Sequence, residues 1–328
     1  MATVNVSSAN ALFAAIRNPA YGEGDVINAT SVGGNNRLPR GTYDGNGVTV
    51  RTNTRKQEFL RIEQNGTTLR NLTLEGDKTD VIRRSGLWDY RDGASAWATA
   101  AEGIGIRASD VLVENVACHG WTHAGIKVGQ NGHARYTPTI RNCELSDCNA
   151  RALGYGVVVY SGYPIIERCR FDQNRHDIAG GGGSNCGYEA RFNHIGARGR
   201  LYGFEMHSPG GESVNIHHNT FERKRNPSGQ DRRLIVSRGT PARTCYVRNN
   251  WFKTPSQSVI YHFAGDSARR FVRENNHYGL GPPPRGVGQP QESSSESGGG
   301  TPQPSRLPRQ RVFPRERGKA LVALLDRP

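Results

Sequence analysis

The sequence predicts an all-β solenoid, a right-handed parallel β-helix with an N-terminal capping helix, and two recurring phrases carry that prediction. The first is IRNCEL ending at Leu145, IERCRF at Phe171, IHHNTF at Phe221, VRNNWF at Phe252 and ENNHY at Tyr278. With VENVAC ending at Cys118 and ARFNHI at Ile195 as looser copies, successive ends lie 27, 26, 24, 26, 31 and 26 residues apart. A fixed repeat of this length, built from short β-branched and aromatic runs broken by Gly and Asn, marks turns that stack on one another. The second phrase is a short run inside each repeat: GIGIRA from Gly103, GIKVG from Gly125, GVVVYS from Gly156, GFEMHS from Gly203, RLIVSR from Arg233 and SVIYHF from Ser258. Two or three short strands per repeat leave no room for a crossover helix, so the strands must be parallel rungs of one coil.

The elements follow in chain order. Residues 1–39 read as a cap and first strands: Ser7 or Ser8 can cap a helix whose apolar stripe is Leu12, Phe13 and Ile16, and such a helix closes the open end of a solenoid. Residues 40–280 are the coil. Strand alternation places Ile104/Ile106, Ile126/Val128, Val157/Val159, Phe204/Met206, Leu234/Val236 and Val259/Tyr261 inside it. Asn193, Asn219, Asn250 and Asn276, each two positions before a phrase end, suit a stacked side-chain ladder within a turn. Residues 281–328, with PPPRG, PQESSSESGGGTPQPS and PRQR, read as disordered linker and tail.

Composition narrows the class. No run of eighteen apolar residues exists, so no membrane span is expected, and no signal peptide is visible. Cys118, Cys143 and Cys169 lie one period apart, which stacking of buried thiols explains without disulfides. The net charge is +14, of which +4 falls on residues 281–328, and Arg supplies 37 of the 43 basic residues. The planar guanidinium suits carboxylate groups, so an anionic polysaccharide is the expected partner. Nucleic acid is disfavoured, because no motif interleaves these charges with exposed aromatics. The sequence leaves the oligomeric state open.

Chemistry is expected on an outward column of the second run, from Lys127 through the RHDIAG segment to Glu205 and His207, then His262. Two clusters stand out there. In QNRHDIAGGGGSNCGYEARF, Arg175, His176 and Asp177 meet four glycines and are followed by Glu189 and Arg191. In LYGFEMHS, alternation sends Phe204 and Met206 inward and projects Glu205 and His207 outward, an acid beside a base. His217, His218 and His194 fall in the other strand and read as packing or turn residues. Trp88 and Trp97 lie in a long interval with Tyr90 and Asp92, suited either to covering one end of the groove or to packing on the coil.

The repeat pattern resembles the pectate-lyase-like superfamily over roughly residues 40–280. Locally, Tyr202–Gly203–Phe204–Glu205–Met206–His207 is similar to the Tyr-Gly-Phe-Asp-Pro-His motif of the β-helical mannuronan C5-epimerases, with Glu205 in place of Asp, Met206 of Pro and Ser208 of an acidic residue. That resemblance implies catalytic roles for Tyr202, Glu205 and His207, joined on this reading by His176 and Asp177. Arg175, Lys127, Arg191, Glu189 and His262 are the expected substrate-binding residues. No metal site is expected; were a cation to assist, calcium on Glu205, Asp177 and Glu189 is the natural choice for oxygen ligands.

The expected function is a carbohydrate-active β-helix, a polysaccharide lyase or C5-epimerase acting on a uronate-containing glycan, in an extracellular or virion-associated setting. Two alternatives stand beside it: a non-catalytic glycan-binding tail-spike or adhesin, and a glycoside hydrolase using Asp177 and Glu205.

Overall fold

The computed structural model describes residues 1–54, 57–77, 100–130, 132, 134–150, 153–223, 232–254 and 257–289. The readings of the tail beyond 289 and of the Trp88–Trp97 interval fall outside these residues. Two parallel sheets, of 17 and nine strands, wind around one apolar interior. The nine-stranded sheet carries the candidate site. Its strands are β1 (Asn36–Leu38), β2 (Glu58–Ile62), β3 (Glu102–Ile106), β4 (Ala124–Val128), β5 (Tyr155–Val159), β6 (Asn174–Gly180), β7 (Gly199–Met206), β8 (Ile235–Ser237) and β9 (Tyr261–Phe263), stacked in chain order.

Helix α1 (Ala9–Ile16) precedes them. The Ser8 side chain accepts from the Ala11 amide at 3.2 Å, satisfying one of the free N–H groups of the first turn. Leu12, Phe13, Ala15 and Ile16 are buried, and Phe13 meets the Tyr43 ring edge-on at 5.8 Å.

In the 17-stranded sheet the rungs from Thr68–Glu75 onward bend at a residue with positive φ. Asn71, Asn115, Asn142, Asn249 and Asn275 hold this place in five rungs; Arg168, Phe192 and His218 hold it in three others. Asparagine tolerates the left-handed region best, which is why the phrases are rich in it. The residue after each bend points inward. Asn193, Asn219, Asn250 and Asn276 form the expected ladder there: each of the first three donates through Nδ2 to the next Oδ1 at 3.0 Å. Asn219 also accepts from the Asn193 amide at 2.9 Å and donates to the Ala190 carbonyl at 2.9 Å. Replacing Asn219 with Ala orphans these buried groups, so a loss of about 2–3 kcal/mol is expected in denaturant unfolding.

The six cysteines are buried free thiols. Their stacking differs from the expected single column. Cys143 and Cys169 occupy the ladder column, Cys169 donating its amide to Asn193 Oδ1 at 2.9 Å, whereas Cys118 pairs in register with Leu145 and so belongs to the neighbouring column.

The interior face of the nine-stranded sheet holds the expected pairs through β7. One column runs Ile104, Ile126, Val157, Ile178, Phe204, and the next runs Ile106, Val128, Val159, Gly180, Met206. At Gly180 an added Cβ would lie 2.5 Å from the Met206 thioether, so glycine there makes room for the larger neighbour. In the last two rungs the expectation holds in part: Leu234 is buried in the core, and Tyr261 pairs with Ile235 and packs against the core as expected, whereas Val236 and Val259 do not hold the interior column. Ile235, not Val236, continues the column from Phe204, and Val236 stands beside Glu205 on the outer face. Val259 lies in a 3-10 turn (Gln257–Val259) and Ile260 is the buried residue. Alternation in a four-residue apolar run such as LIVS cannot fix its own phase; pairing with β7 does.

The chain at 281–289 also departs from a free linker. Gly288 donates to the Asn249 carbonyl at 2.8 Å and the Gln289 amide donates to Thr220 Oγ1 at 3.0 Å. Gly288 has φ +77° and its missing Cβ would sit 2.9 Å from Trp251 Cβ, so a glycine is what lets this segment close on the coil.

Candidate functional site

Three outward columns define the exposed face of the nine-stranded sheet. Glu58, Glu102, Ala124, Tyr155, His176 and Tyr202 form one by register. Arg61, Gly105, Lys127, Val158, Ala179, Glu205, Val236 and His262 form the second. The residues just after the strands, among them Arg107, Tyr160, His207 and Arg238, form the third. Tyr155, Val158 and Ala179 cluster with Ala124, Ala150 and Leu153 in a small apolar patch on this face. That patch divides the polar groups into two centres.

The first centre surrounds Glu205. Its side chain points away from the coil interior, as alternation requires, yet it is 0% exposed because its neighbours cover it. His176 Nδ1 lies 2.7 Å and His207 Nε2 3.1 Å from Glu205 Oε2, and Arg238 Nε contacts Oε1. The Arg238 guanidinium sits 5.8 Å over the Tyr202 ring. Tyr155 stacks on His176 at 5.3 Å, and Tyr202 meets the same imidazole edge-on at 5.2 Å. His176 is fully buried, and among the described residues neither its Nε2 nor, despite the short distance to Glu205, its Nδ1 has the geometry of a hydrogen bond. His207 is 29% exposed, so of the two imidazoles it is the one open to solvent.

The electrostatics follow from burial and pairing. Burial alone would raise the Glu205 carboxyl, but the close imidazoles of His176 and His207 outweigh it and hold the group well below the usual carboxylate range. Burial pushes His176 down to about 4, with Glu205 opposing, so this imidazole is neutral at pH 7. Burial likewise raises the Tyr155 phenol, partly offset by Arg175. At neutral pH the centre is therefore an ionised carboxylate against a guanidinium, with a Tyr155 phenol that keeps its proton.

The sequence-derived candidates divide accordingly. His176, Tyr202, Glu205 and His207 come together, with Arg175 beside Tyr155. Asp177 does not join them. It occupies the rung position of Gly156 and Gly203, where an added Cβ at Gly156 would meet the Phe171 ring 2.7 Å away, so this position faces the interior. Asp177 accordingly accepts from the ladder-side Asn174 Nδ2 at 3.2 Å. The bulge between Asn174 and His176 shifts the alternation that the sequence reading assumed. Glu189 and Arg191 belong to the other sheet: Arg191 bonds Glu167 at 2.8 Å and Glu189 at 2.7 Å, and His217 Nε2 lies 3.4 Å from Glu189. Glu205, Asp177 and Glu189 therefore do not converge, and the calcium set proposed from sequence is not assembled. Among the described residues no group of three His, Cys, Asp or Glu is arranged to hold a metal.

Lys127 lies three strands from Glu205 in the same column, about 14 Å at ~4.8 Å per strand. It contacts Glu102 at 3.0 Å and Glu58 at 3.1 Å, at the second centre. His262 is exposed two strands beyond Glu205 on the other side. His217 and His218 contact each other through Nδ1 at 2.8 Å, and His218 lies over the Phe192 ring at 5.1 Å, in keeping with packing and turn roles. Arg238, Tyr155, Glu102, His123 and Tyr160 escaped the sequence reading. Each sits at a strand's first residue or just outside a strand, where period-two alternation gives no phase.

A family model for the right-handed β-helix region matches residues 62–276. The chain belongs to the right-handed β-helix family. Members of such a family wind in the sense that parallel crossovers favour, and the register described above is that of stacked rungs. No curated protein matches the chain. Among solved structures it is similar to a pectate lyase double variant from Xanthomonas campestris at 13% identity, over 90% of this chain and 82% of that one, with a TM-score of 0.22. Among the described residues of this β-helix no helix is long and apolar enough to cross a membrane.

Proposed function

We propose that this β-helix acts on a uronate-containing polysaccharide by removing the proton at C5, as a lyase or C5-epimerase. The observation that carries the reading is the partly exposed His207, held through Nε2 by a buried, ionised Glu205, on one face with Tyr202 and Arg238. Among the described residues His207 Nδ1 has no hydrogen-bond partner, which leaves it for a substrate proton. Glu205 is a positioning residue: covered on all sides, it orients His207 and stabilises the imidazolium formed when His207 takes the proton.

The substrate carboxylate must be neutralised as the proton leaves, because the electrons of the broken C–H bond flow into it as an enolate. Arg238, whose side chain is 44% exposed, is placed for that task, and Arg175 lies near Tyr155. Tyr202, a phenol on the same face, is the acid that either returns a proton to C5 from the other side, giving epimerisation, or protonates the departing 4-linked oxygen, giving β-elimination. The hydrolase alternative loses its support, since Asp177 faces the interior and Glu205 is covered. An extracellular or virion-associated setting goes with this substrate.

Product analysis on polyuronates tests the reading. Ultraviolet absorbance of an unsaturated uronate marks a lyase, and entry of solvent deuterium at C5 marks an epimerase. New reducing ends without unsaturation would indicate a hydrolase, and binding without any product would leave a glycan-binding protein. Arg238→Gln is expected to weaken polyuronate binding by about tenfold, the effect of losing one charge-assisted pair, and raised salt should reproduce part of that loss in the wild type.

A further inference from the structure

The second centre, on the far side of the apolar patch, lies in a cleft of about 610 Å³ that no part of the proposed reaction uses. Cations share one outward column there. By register Arg37, Arg61, Gly105 and Lys127 succeed one another on adjacent strands, and Arg107 follows on the strand of Gly105. Glu58 takes Arg61 at 2.6 Å, Arg107 at 2.7 Å and Lys127 at 3.1 Å, and Lys127 also reaches Glu102 at 3.0 Å. Glu63 takes Arg107 at 3.3 Å, Arg37 at 3.3 Å and Arg61 at 3.7 Å. The lining itself sets Arg61, Arg107 and Lys127 against Glu58 and Glu102, and Arg37 with Glu63 lies outside it. Among the described residues the network therefore carries one positive charge in excess. At Gly105 a Cβ would fall 2.3 Å from the Glu58 carboxyl carbon, so glycine leaves space for that carboxylate between Arg61 and Lys127. The carboxylates are the deeper layer: Glu58 and Glu102 are 2% and 6% exposed, against 14% for Arg61, 17% for Lys127 and 19% for Arg107. What a ligand meets in the cleft is N–H donors, with the negative charge beneath them.

A hydrogen-bonded chain runs to the same cleft. His123 Nδ1 is 2.6 Å from Glu102 Oε1, and His123 Nε2 is 3.1 Å from the Tyr160 hydroxyl. Facing a carboxylate, Nδ1 carries the proton, so Nε2 accepts from Tyr160 and the phenol oxygen keeps its lone pairs for a ligand hydroxyl. Burial raises the Tyr160 phenol, so it stays neutral and does not repel an anion. Gln57, Gln130 and Asn35 complete the lining with amide groups that donate and accept. An entering oxyanion balances the excess charge and still finds donors, since the Lys127 ammonium has a third N–H beyond its two carboxylate contacts. Guanidinium forks suit planar and tetrahedral oxyanions alike, and the phenol and amides call for hydroxyls on the same molecule.

We propose that this cleft binds an acidic sugar residue, its carboxylate or sulfate on Arg61, Arg107 and Lys127 and a hydroxyl on Tyr160. The site stands on its own residues and holds whether or not the Glu205 centre performs the reaction proposed above. The test is calorimetric titration of the full chain carrying Arg238→Gln, which weakens the competing carboxylate site at the Glu205 centre, with methyl glucuronoside, glucose 6-sulfate and methyl glucoside. At least one acidic ligand is expected to bind, about tenfold or more tighter than the neutral glucoside. Glucuronoside as the tighter of the two acidic ligands supports the site with a carboxylate as its group, and the 6-sulfate supports it with a sulfate ester. Adding Lys127→Met or Tyr160→Phe is expected to reduce that affinity about tenfold. Arg37→Gln removes the excess charge without touching the lining, so a loss of about two- to threefold is expected for the acidic ligand and none for the glucoside. Tyr160→Phe keeps the charge network whole, and thermal unfolding checks that each variant folds. Absence of binding by both acidic ligands, or binding untouched by both Lys127→Met and Tyr160→Phe, overturns the site. Methyl glucoside bound as tightly as the acidic ligands overturns its selectivity for charge. Failure of the Glu205 reading has a different signature: the wild type leaves polyuronate unchanged while acidic-sugar binding remains sensitive to Lys127→Met.

Discussion

His207→Ala is expected to reduce turnover of a polyuronate by roughly a thousandfold, within the range that a positioned general base contributes. Its fold should be unaffected, because His207 stands on the outer face while the interior column in that rung is built by Phe204 and Met206. The loss should fall on kcat more than on KM, since Arg238 and Arg175 remain to hold the substrate carboxylate. Glu205→Gln separates orientation from charge: the amide still fits between His207 and Arg238 but brings no negative charge to the imidazole as it takes the substrate proton, so kcat should fall while KM changes little. Activity in His207→Ala equal to the wild type would remove the catalytic reading and favour a glycan-binding coil.

Acid should destabilise the protein by an amount that His176 largely sets. Burial, which disfavours the cation, pushes its pKa down to about 4 in the folded chain from the ordinary 6.5 of a free imidazole. The unfolded chain therefore binds the extra proton between these values, and stability that is complete above about pH 6.5 falls as the pH drops toward 4. At about 1.4 kcal/mol per unit the loss is on the order of 3 kcal/mol. Glu205, also lowered in the fold, adds a loss of the same sign below the ordinary carboxylate value of 4.5. His217 and His218 are lowered by burial too and contribute in the same direction. Urea unfolding across this range is expected to show the slope in the wild type and a shallower one in His176→Phe. Equal slopes in the two proteins would show that His176 is not held neutral.

The Glu205 centre was partly legible in LYGFEMHS, because a strand with alternating Phe and Met on one side must project Glu205 and His207 on the other. It was partly illegible for the same reason that made Val236 misleading. Alternation holds only while the strand is regular, and the bulge after Asn174 turned Asp177 inward while His176 stayed outward. Glu189 and Arg191 had the right chemistry but stood on a different sheet.

What the sequence by itself determined was the coil: its period, its capping helix, its Asn ladder and the inward residues of β3–β5 and β7. These follow from local rules, since repeat length, strand alternation and the tolerance of Asn for a left-handed turn are written into short stretches of chain. Only the tertiary structure decided which ionisable groups meet. Arg238 reaches Glu205 from the next turn, and Tyr160 reaches His123 across 37 residues of chain. Such contacts depend on register between rungs, and register is set by the stacking of whole turns, a property that no single repeat contains.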